Sequence, residues 1–477
     1  MPRVEPAEGM SFEAHAPVLV IGAGAAGLVA ALRVRALGAE VLVLERDAVP
    51  RGSTALSAGL IPAGGTRFQR EAGIEDSPAL FAADIMAKAH GEPAPAAVAR
   101  VAETIGPVLE WLADAHALPF TVVANFTYPG HSARRMHGLP TRSGAELIDR
   151  LRQAAEAAGV AIINEATANT LFAAADGRIA GVGITRPDGS TDRIGCDALV
   201  LACNGYGGNK ALVAQHIPGL ADALYFGHAG NQGDALLWGE ALGAAARDLP
   251  GHQGHGSVAH PHGILITWAT ITEGGIQVDT QGRRFHNEAR GYSEAAAEVI
   301  AAPGGIAWTI FDARIAGIAR QFEDFRAAEA AGAILAADTI EDLAARTRLP
   351  VEALAASLAE ADALRAHAGR DRFGRDFAGL PPLAPPLAAV KVTGALFHTQ
   401  GGLVVDGQAR VLRCDGTAFP NLLAAGGAAG GLSGARAEGY LSGNGLLTAV
   451  AYGFLAGAVA AELAAERASA GESPRPA

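Results

Sequence analysis

Between a short apolar strand beginning at Val18 and an Ala/Leu-rich stretch stand Gly22, Gly24 and Gly27 in the spacing GxGxxG, the feature that most restricts what this chain can fold into. The run VLVIGAGAAGLVAALRVRALGAEVLVLERD reads as strand, glycine turn, helix and second strand, closing on the acid Glu45. That order is a βαβ unit. Gly22 permits the tight turn, Gly24 lets the backbone approach a pyrophosphate, and Gly27 allows close packing of the helix. The helix N-terminus attracts phosphate, and Glu45 ends the second strand where a ribose hydroxyl is bound. Ala25, Ala26 and Arg46 flank these positions and are candidate contacts to the same nucleotide.

NAD and FAD share this fingerprint, so three distant segments decide between them. RGSTALSAGL places Gly52, Ser53, Thr54, Ser57, Ala58 and Gly59 just after the second strand. GNQGDAL adds a turn with Gly230 and Asp234. FPNLLAAGG is an apolar strand opening onto Gly426 and Gly427, where the second pass of an FAD protein reaches the ribityl chain and pyrophosphate. Ala168, Ala202, Asn204, Gly205, Asn209 and His398 complete the candidate flavin contacts in the middle of the chain. Gly443, Asn444 and Leu446 open a C-terminal helix whose free N–H groups are expected to face the pyrimidine end of the flavin, where negative charge gathers on reduction.

The expected fold is α/β, a Rossmann-like FAD-binding domain with an inserted α+β capping domain. Its divisions are a flexible arm at 1–16, the first part of the FAD-binding domain at 17–255, a capping domain at 256–390, the second part at 391–466 and a disordered tail at 467–477. Helical spacing over 143–159 and strand-like runs at 160–172, 177–185 and 198–202 suggest a small sheet feeding back into the main one. The Gly/His-rich HQGHGSVAHPHG marks the start of the cap, and LPPLAPPL the way back. With 477 residues, 50 % of them hydrophobic and 18 % charged, the chain can bury a large core. A net charge of -12 with no basic run disfavours nucleic acid and anionic membranes as partners. Three cysteines without metal-ligand spacing support neither a disulfide framework nor a zinc site, and a cytoplasmic setting is expected. The apolar stretch near the C-terminus has about 16 uncharged residues, short of a membrane span, and reads as a core helix.

Taken together, these motifs resemble the flavoprotein superfamily of fumarate reductases and 3-ketosteroid dehydrogenases over most of the chain. The resemblance implies an FAD domain split by a mobile cap. It also implies noncovalent FAD, because Ser53 and Thr54 stand where some members carry an attaching histidine. In the fumarate reductase branch an arginine four residues after the glutamate of an RxFxNE-like motif serves as the acid. Here Arg284, Phe285, Asn287 and Glu288 are present, but Tyr292 occupies the later position. The HGANR-like segment of that branch is replaced by SGARAEGYLSGNG, with Arg436 out of register and Tyr440 introduced. Tyrosine at both places is similar to the 3-ketosteroid dehydrogenases, and Tyr440-x-Ser442 is most like the Δ4-(5α) subgroup. There are only 6 tyrosines in the chain, so a matched pair by accident is improbable.

The implied activity is desaturation of a cyclic ketone, a 3-ketosteroid or a cyclohexanone-type ring, with electrons passing to an external acceptor. Removing an α-proton while hydride leaves the β-carbon builds negative charge on the carbonyl oxygen, which a neutral donor must meet. Tyr440 is the candidate donor and Tyr292 the candidate base, its phenol made more acidic by its surroundings, with Ser442 as a proton relay. The two tyrosine roles are exchangeable at this level. His260, in AHPHG, matches a substrate-facing histidine or is a turn residue beside Pro261; Arg134 and Arg135 hold an anionic substrate group or lie in a solvated loop. Two other readings stand beside the desaturase: an enoate reductase of the fumarate type, and a flavin-binding protein without chemistry of its own.

Overall fold

The computed structural model describes residues 2–125, 127–367 and 369–471. Its main sheet has nine strands among the described residues. Ala14–Ile21, whose last four residues are buried, lies between Val41–Leu44 and Thr191–Leu201, parallel to both. The far side of Thr191–Leu201 is shared, antiparallel with Ile179–Thr185 along its first half and parallel with Ala418–Ala424 at its end. A strand from the last sixty residues therefore sits two places from the strand that carries the first glycines. Strands covered on both faces are apolar, as VLVI, ALVL and LLA are; Asn421, buried at the start of the last, is satisfied by hydrogen bonds to Ile179 and Asp197.

The helix Ala25–Ala36 is buried along nearly its whole length, against the C-terminal helix Asn444–Ser469. Its small residues have a use here. A Cβ at Gly453 or Gly457 would run into the carbonyl oxygens of Ala26 and Ala30, so glycine lets the two backbones touch. Asn444–Ser469 is 26 residues long and apolar enough to cross a membrane, yet 67 % of its most apolar window is buried inside the protein. Core burial accounts for its composition, and it exceeds the length read from the sequence because charged residues after Glu462 continue the same helix.

The second sheet has seven strands among the described residues, with Leu387–Thr399 at its centre. His252–Ala259, Ile306–Asp312 and Ile334–Ala337 pair with it antiparallel, and Leu224–Tyr225 pairs with it parallel. The boundaries expected at 255/256 and 390/391 thus both fall inside strands. A long central strand is shared between the cap and the flavin side, and composition does not register where a continuous hydrogen-bonded strand passes from one layer to another.

Two further expectations change. The arm expected at 1–16 is not loose over its described residues, 2–16: Arg3–Pro6 pairs parallel with Thr167–Ala173, and Phe12 packs edge-on against Phe172 at 5.8 Å over Gly181 and Gly195, which leave room for its ring. The run 160–172 is two strands on opposite sides of the sheet, Ala161–Ile163 beside Val41–Leu44 and Thr167–Ala173 beside Ile179–Thr185. Residues 467–469, expected in the tail, are the last turn of the C-terminal helix; 472–477 lie outside the described residues.

Candidate active site

One long cavity runs between the two sheets, and the residues from both ends of the chain meet along it. At one end the walls are mostly backbone. Gly22 has φ +104°, in the region open to glycine, and a side chain there would strike the Ala202 carbonyl. Gly27 lies under the Gly22 carbonyl and faces the helix packing instead of the cavity. Gly24 opens to the cavity, with only Thr54 Oγ1 near a built Cβ, at 3.5 Å. Thr54 Oγ1 accepts the Ala25 N–H at 3.0 Å, and Glu45 accepts those of Ala23 and Asp47 at 2.9 and 3.0 Å. This open glycine cradle at a helix N-terminus, with an anchored acid beside it, fits the pyrophosphate and ribose of FAD.

Of the candidate cofactor residues, Gly22, Gly24, Ala25, Ala26, Glu45, Arg46, Gly52, Ser53, Thr54, Ser57, Ala58, Ala168, Ala202, Asn204, Gly230, His398, Gly426, Gly427, Gly443 and Leu446 line the cavity. Gly27, Gly59, Gly205, Asn209, Asp234 and Asn444 do not. Asn209 is an N-cap, its Oδ1 accepting from Ala211 and Leu212 at 3.2 Å. Asp234 forms an ion pair with Arg46 at 2.7 Å and so positions that guanidinium from behind. Gly59 and Gly205 provide clearance for Ser143 and Thr399. Asn444 is fully buried, donates to Ser433 Oγ at 3.1 Å and supports the helix start from within. Each has a local structural task that a motif match does not separate from ligand contact.

The other end is aromatic. Tyr292 starts the helix Tyr292–Ala301, Tyr440 sits in the loop before the C-terminal helix, and their rings meet edge-on at 6.1 Å. Tyr128 meets Tyr292 at 6.1 Å from another side. The Tyr440 hydroxyl accepts the Gly445 N–H at 3.4 Å and is also bonded by Gly443, so it rests on the start of the C-terminal helix. Burial pushes its phenol up to about 12 against the pull of those N–H groups and of a hydrogen bond from Tyr292. Burial and the Tyr440 oxygen hold Tyr292 well above the usual phenol range, with Ser442 opposing. The more acidic phenol expected at Tyr292 is therefore not what the surroundings produce; of the two, Tyr440 is the stronger acid.

His255 has no counterpart in the sequence reading. It lines the cavity, stacked between Tyr292 at 4.7 Å and Phe397 at 5.1 Å, and Phe397 stacks in turn on Phe226 at 4.6 Å. Burial drives its imidazole down to about 3, so it is neutral, and because Nδ1 accepts the Ser257 N–H at 3.1 Å its proton is on Nε2. Of the two readings of His260, substrate-facing or a turn residue beside Pro261, the turn holds: it is exposed just after His252–Ala259. The period-two pattern of that strand is the available signal, pointing Gln253 and His255 to the face that lines the cavity. Trp268 and Thr267 complete this wall.

The arginines considered for anion binding are elsewhere. Arg135 is buried in ion pairs with Asp76 at 3.0 Å and Asp84 at 2.5 Å, Arg134 is exposed, and Arg436 reaches Glu92 at 3.0 Å on the surface. Arg284 is held in the cap between Glu288 at 2.6 Å and Asp371 at 2.5 Å. Among the described residues lining the cavity the one Arg or Lys is Arg46, at the glycine end.

A cavity with a glycine cradle at one end and reactive hydroxyls at the other defines a flavin-dependent oxidoreductase. Residues 17–446 match the FAD binding domain family, and the chain belongs to it. It is 30 % identical to a probable fumarate reductase of Shewanella frigidimarina over 94 % of this chain and 75 % of that one. It is 25 % identical to a 4-oxocyclohexanecarboxylate 2-dehydrogenase of Sinomonas cyclohexanicum over 94 % and 95 %. A 3-ketosteroid Δ4-(5α)-dehydrogenase from Rhodococcus jostii RHA1 shares the fold, with TM-score 0.74 at 23 % identity over 97 % and 100 %. The protein is thus an FAD-dependent oxidoreductase acting on CH–CH groups.

Proposed function

We propose that the protein introduces a C=C bond α,β to the carbonyl of a saturated cyclic ketone. The observation that carries this reading is the chemistry of the substrate end, where Tyr128, Tyr292, Tyr440 and Ser442 supply hydroxyls and no Arg or Lys lines the wall among the described residues. A dicarboxylate there would have no cation to replace its hydration, whereas a ketone needs only donors.

FAD, held noncovalently by the glycine cradle, supplies the two-electron acceptor for the β-hydrogen leaving as hydride. Tyr440 accepts from backbone N–H groups and keeps its own proton for the ketone oxygen, which gains charge as the α-proton leaves. The helix N-terminus behind Tyr440 stabilises that charge. Tyr292, beside Tyr440 in the same wall, is the group that takes the α-proton in this reading. Since burial excludes a standing phenolate, it takes the α-proton as its own leaves through the Ser442 hydroxyl, which donates to Tyr292 at rest, turns to accept, and passes one proton on to solvent, so that both hydroxyls are neutral before and after the step. The products are the enone, one proton released to solvent and one hydride equivalent passed on to an external acceptor.

Enoate reduction is the second reading, favoured by the fumarate reductase among the sequence relatives. Dye-linked oxidation separates the two. Dichlorophenolindophenol reduction is expected with saturated cyclic ketones and not with succinate-like acids; the reverse pattern removes the desaturase.

A further inference from the structure

The charged groups lining the cavity are almost all satisfied. Arg46 is paired with Asp234 at 2.7 Å, Asp47 with His228 at 2.9 Å, and Glu45 accepts two backbone N–H groups. Asp324 differs. It lines the same cavity from the cap helix Glu323–Ala330, half-buried, and has no hydrogen bond or ion pair among the described residues. As the second residue of a helix it favours the helix dipole, but that role needs no opening onto the cavity.

Its place relative to the tyrosines follows from packing. The helix Glu323–Ala330 rests on the strand Ile264–Leu265, and Leu265 clusters with Phe397 and Phe226. Those rings form the end of the stack furthest from Tyr292, whose successive centroids are 4.7, 5.1 and 4.6 Å apart. A flat apolar wall thus joins a ketone site at Tyr440 to a lone carboxylate under the cap.

We propose that Asp324 is a specificity-determining residue that recognises a hydrogen-bond donor, a hydroxyl or an ammonium group, on the part of the substrate remote from the ketone, and rejects carboxylated substrates. The proposal rests on the ketone reading above. A donor at that position gives the carboxylate the partner it lacks, and an anion there meets a like charge with no cation to offset it. Burial, with Glu323 beside it, pushes the Asp324 carboxyl up to about 6, which leaves it largely ionised at neutral pH. Phe322, Leu56, Leu60 and Phe226 near the cap side supply no competing charge.

The test uses the full-length flavoprotein and ketones that differ only at the remote position: a cyclohexanone and a 3-ketosteroid, each unsubstituted, hydroxylated, amino-substituted or carboxylated. Dye-linked kcat/KM is measured beside ligand binding, followed by perturbation of the flavin absorbance. In one ring series, the hydroxylated or amino compound is expected to exceed the unsubstituted one about tenfold, and the ratio to fall toward one in Asp324→Asn. The two donor arms tell a neutral donor from a cation. Asp324→Lys is expected to reverse the order and favour the carboxylated ring, a gain that misfolding does not produce. Equal kcat/KM across a series in the parent protein, or no gain for the carboxylated ring in Asp324→Lys, overturns the assignment. If no ketone reduces the flavin at all, the ketone reading fails on its own, and the same ranking by binding still decides for or against Asp324.

Discussion

The two ends of the cavity are built from opposite materials. At the nucleotide end the contacts are backbone: Gly22, Gly24, Gly426 and Gly427 remove side chains so that amides approach the ligand. At the substrate end the backbone is hidden behind Tyr128, Tyr292, Tyr440, His255 and Trp268, and the polar atoms are side-chain tips in an apolar setting. A pyrophosphate is recognised by its charge and fixed shape, which amides at a helix N-terminus suit in any such protein. A reacting carbonyl is recognised by the charge it acquires only during reaction, which requires donors placed by a particular tertiary packing. Residue types at the first end are therefore dictated by space, and at the second by chemistry.

The largest expected effects break the first end. Gly27→Val forces a side chain into the Gly22 carbonyl, and the purified protein is expected to be aggregated or flavin-free, read from the ratio of flavin to protein absorbance. Gly24→Ala sharpens the point: its Cβ meets only Thr54 Oγ1, so the fold is expected to survive while FAD affinity falls, on the order of tenfold or more by titration of the apoprotein. A Gly24→Ala protein with parental affinity breaks the assignment of the cradle.

At the second end, Tyr440→Phe removes the donor and leaves the ring. A loss of about 10²–10⁴ in kcat is expected, with flavin content unchanged. Tyr292→Phe is expected to cost a similar factor. Parental rates of flavin reduction in both variants would reassign the chemistry to other groups.

Acid distinguishes the two ends more gently. His131, His137 and His286 are pushed down to about 4 and His255 to about 3, all by burial, and none lies in the glycine cradle. In the unfolded chain they titrate near their ordinary value of about 6.5. Below that the unfolded state binds more protons, so stability is present above about pH 6.5 and declines as pH falls toward 4. Each is expected to contribute at most about 1.4 kcal/mol per pH unit in that window. Urea midpoints at pH 7.5, 6 and 5 are the check, and a flat profile shows that these rings are reached by water. The smallest effect tests a residue that only resembles a ligand. Asn209→Ala removes an N-cap and is expected to cost about 1 kcal/mol of stability with no change in FAD affinity.

The sequence by itself determined the βαβ unit, the flavin, the glycine motifs near both chain ends and the tyrosines at 292 and 440. These are local in cause: turn geometry, strand burial and residue type can be read within a few positions. What only the tertiary structure decided is everything that depends on contacts between distant segments. It decided between the two readings of His260 in favour of the turn and brought His255 to the substrate end, because one side of a strand faces the cavity and the turn after it faces water. It withdrew Arg135 into a buried ion-pair cluster and made Asn209 a cap. It ranked the two phenols, since their acidity is set by burial and by the amides of a helix that starts four residues after Tyr440 in sequence but closes over residues from the whole chain. Position in the chain fixes what a side chain is made of; desolvation and partners fix what it can do, and both are properties of the packed molecule.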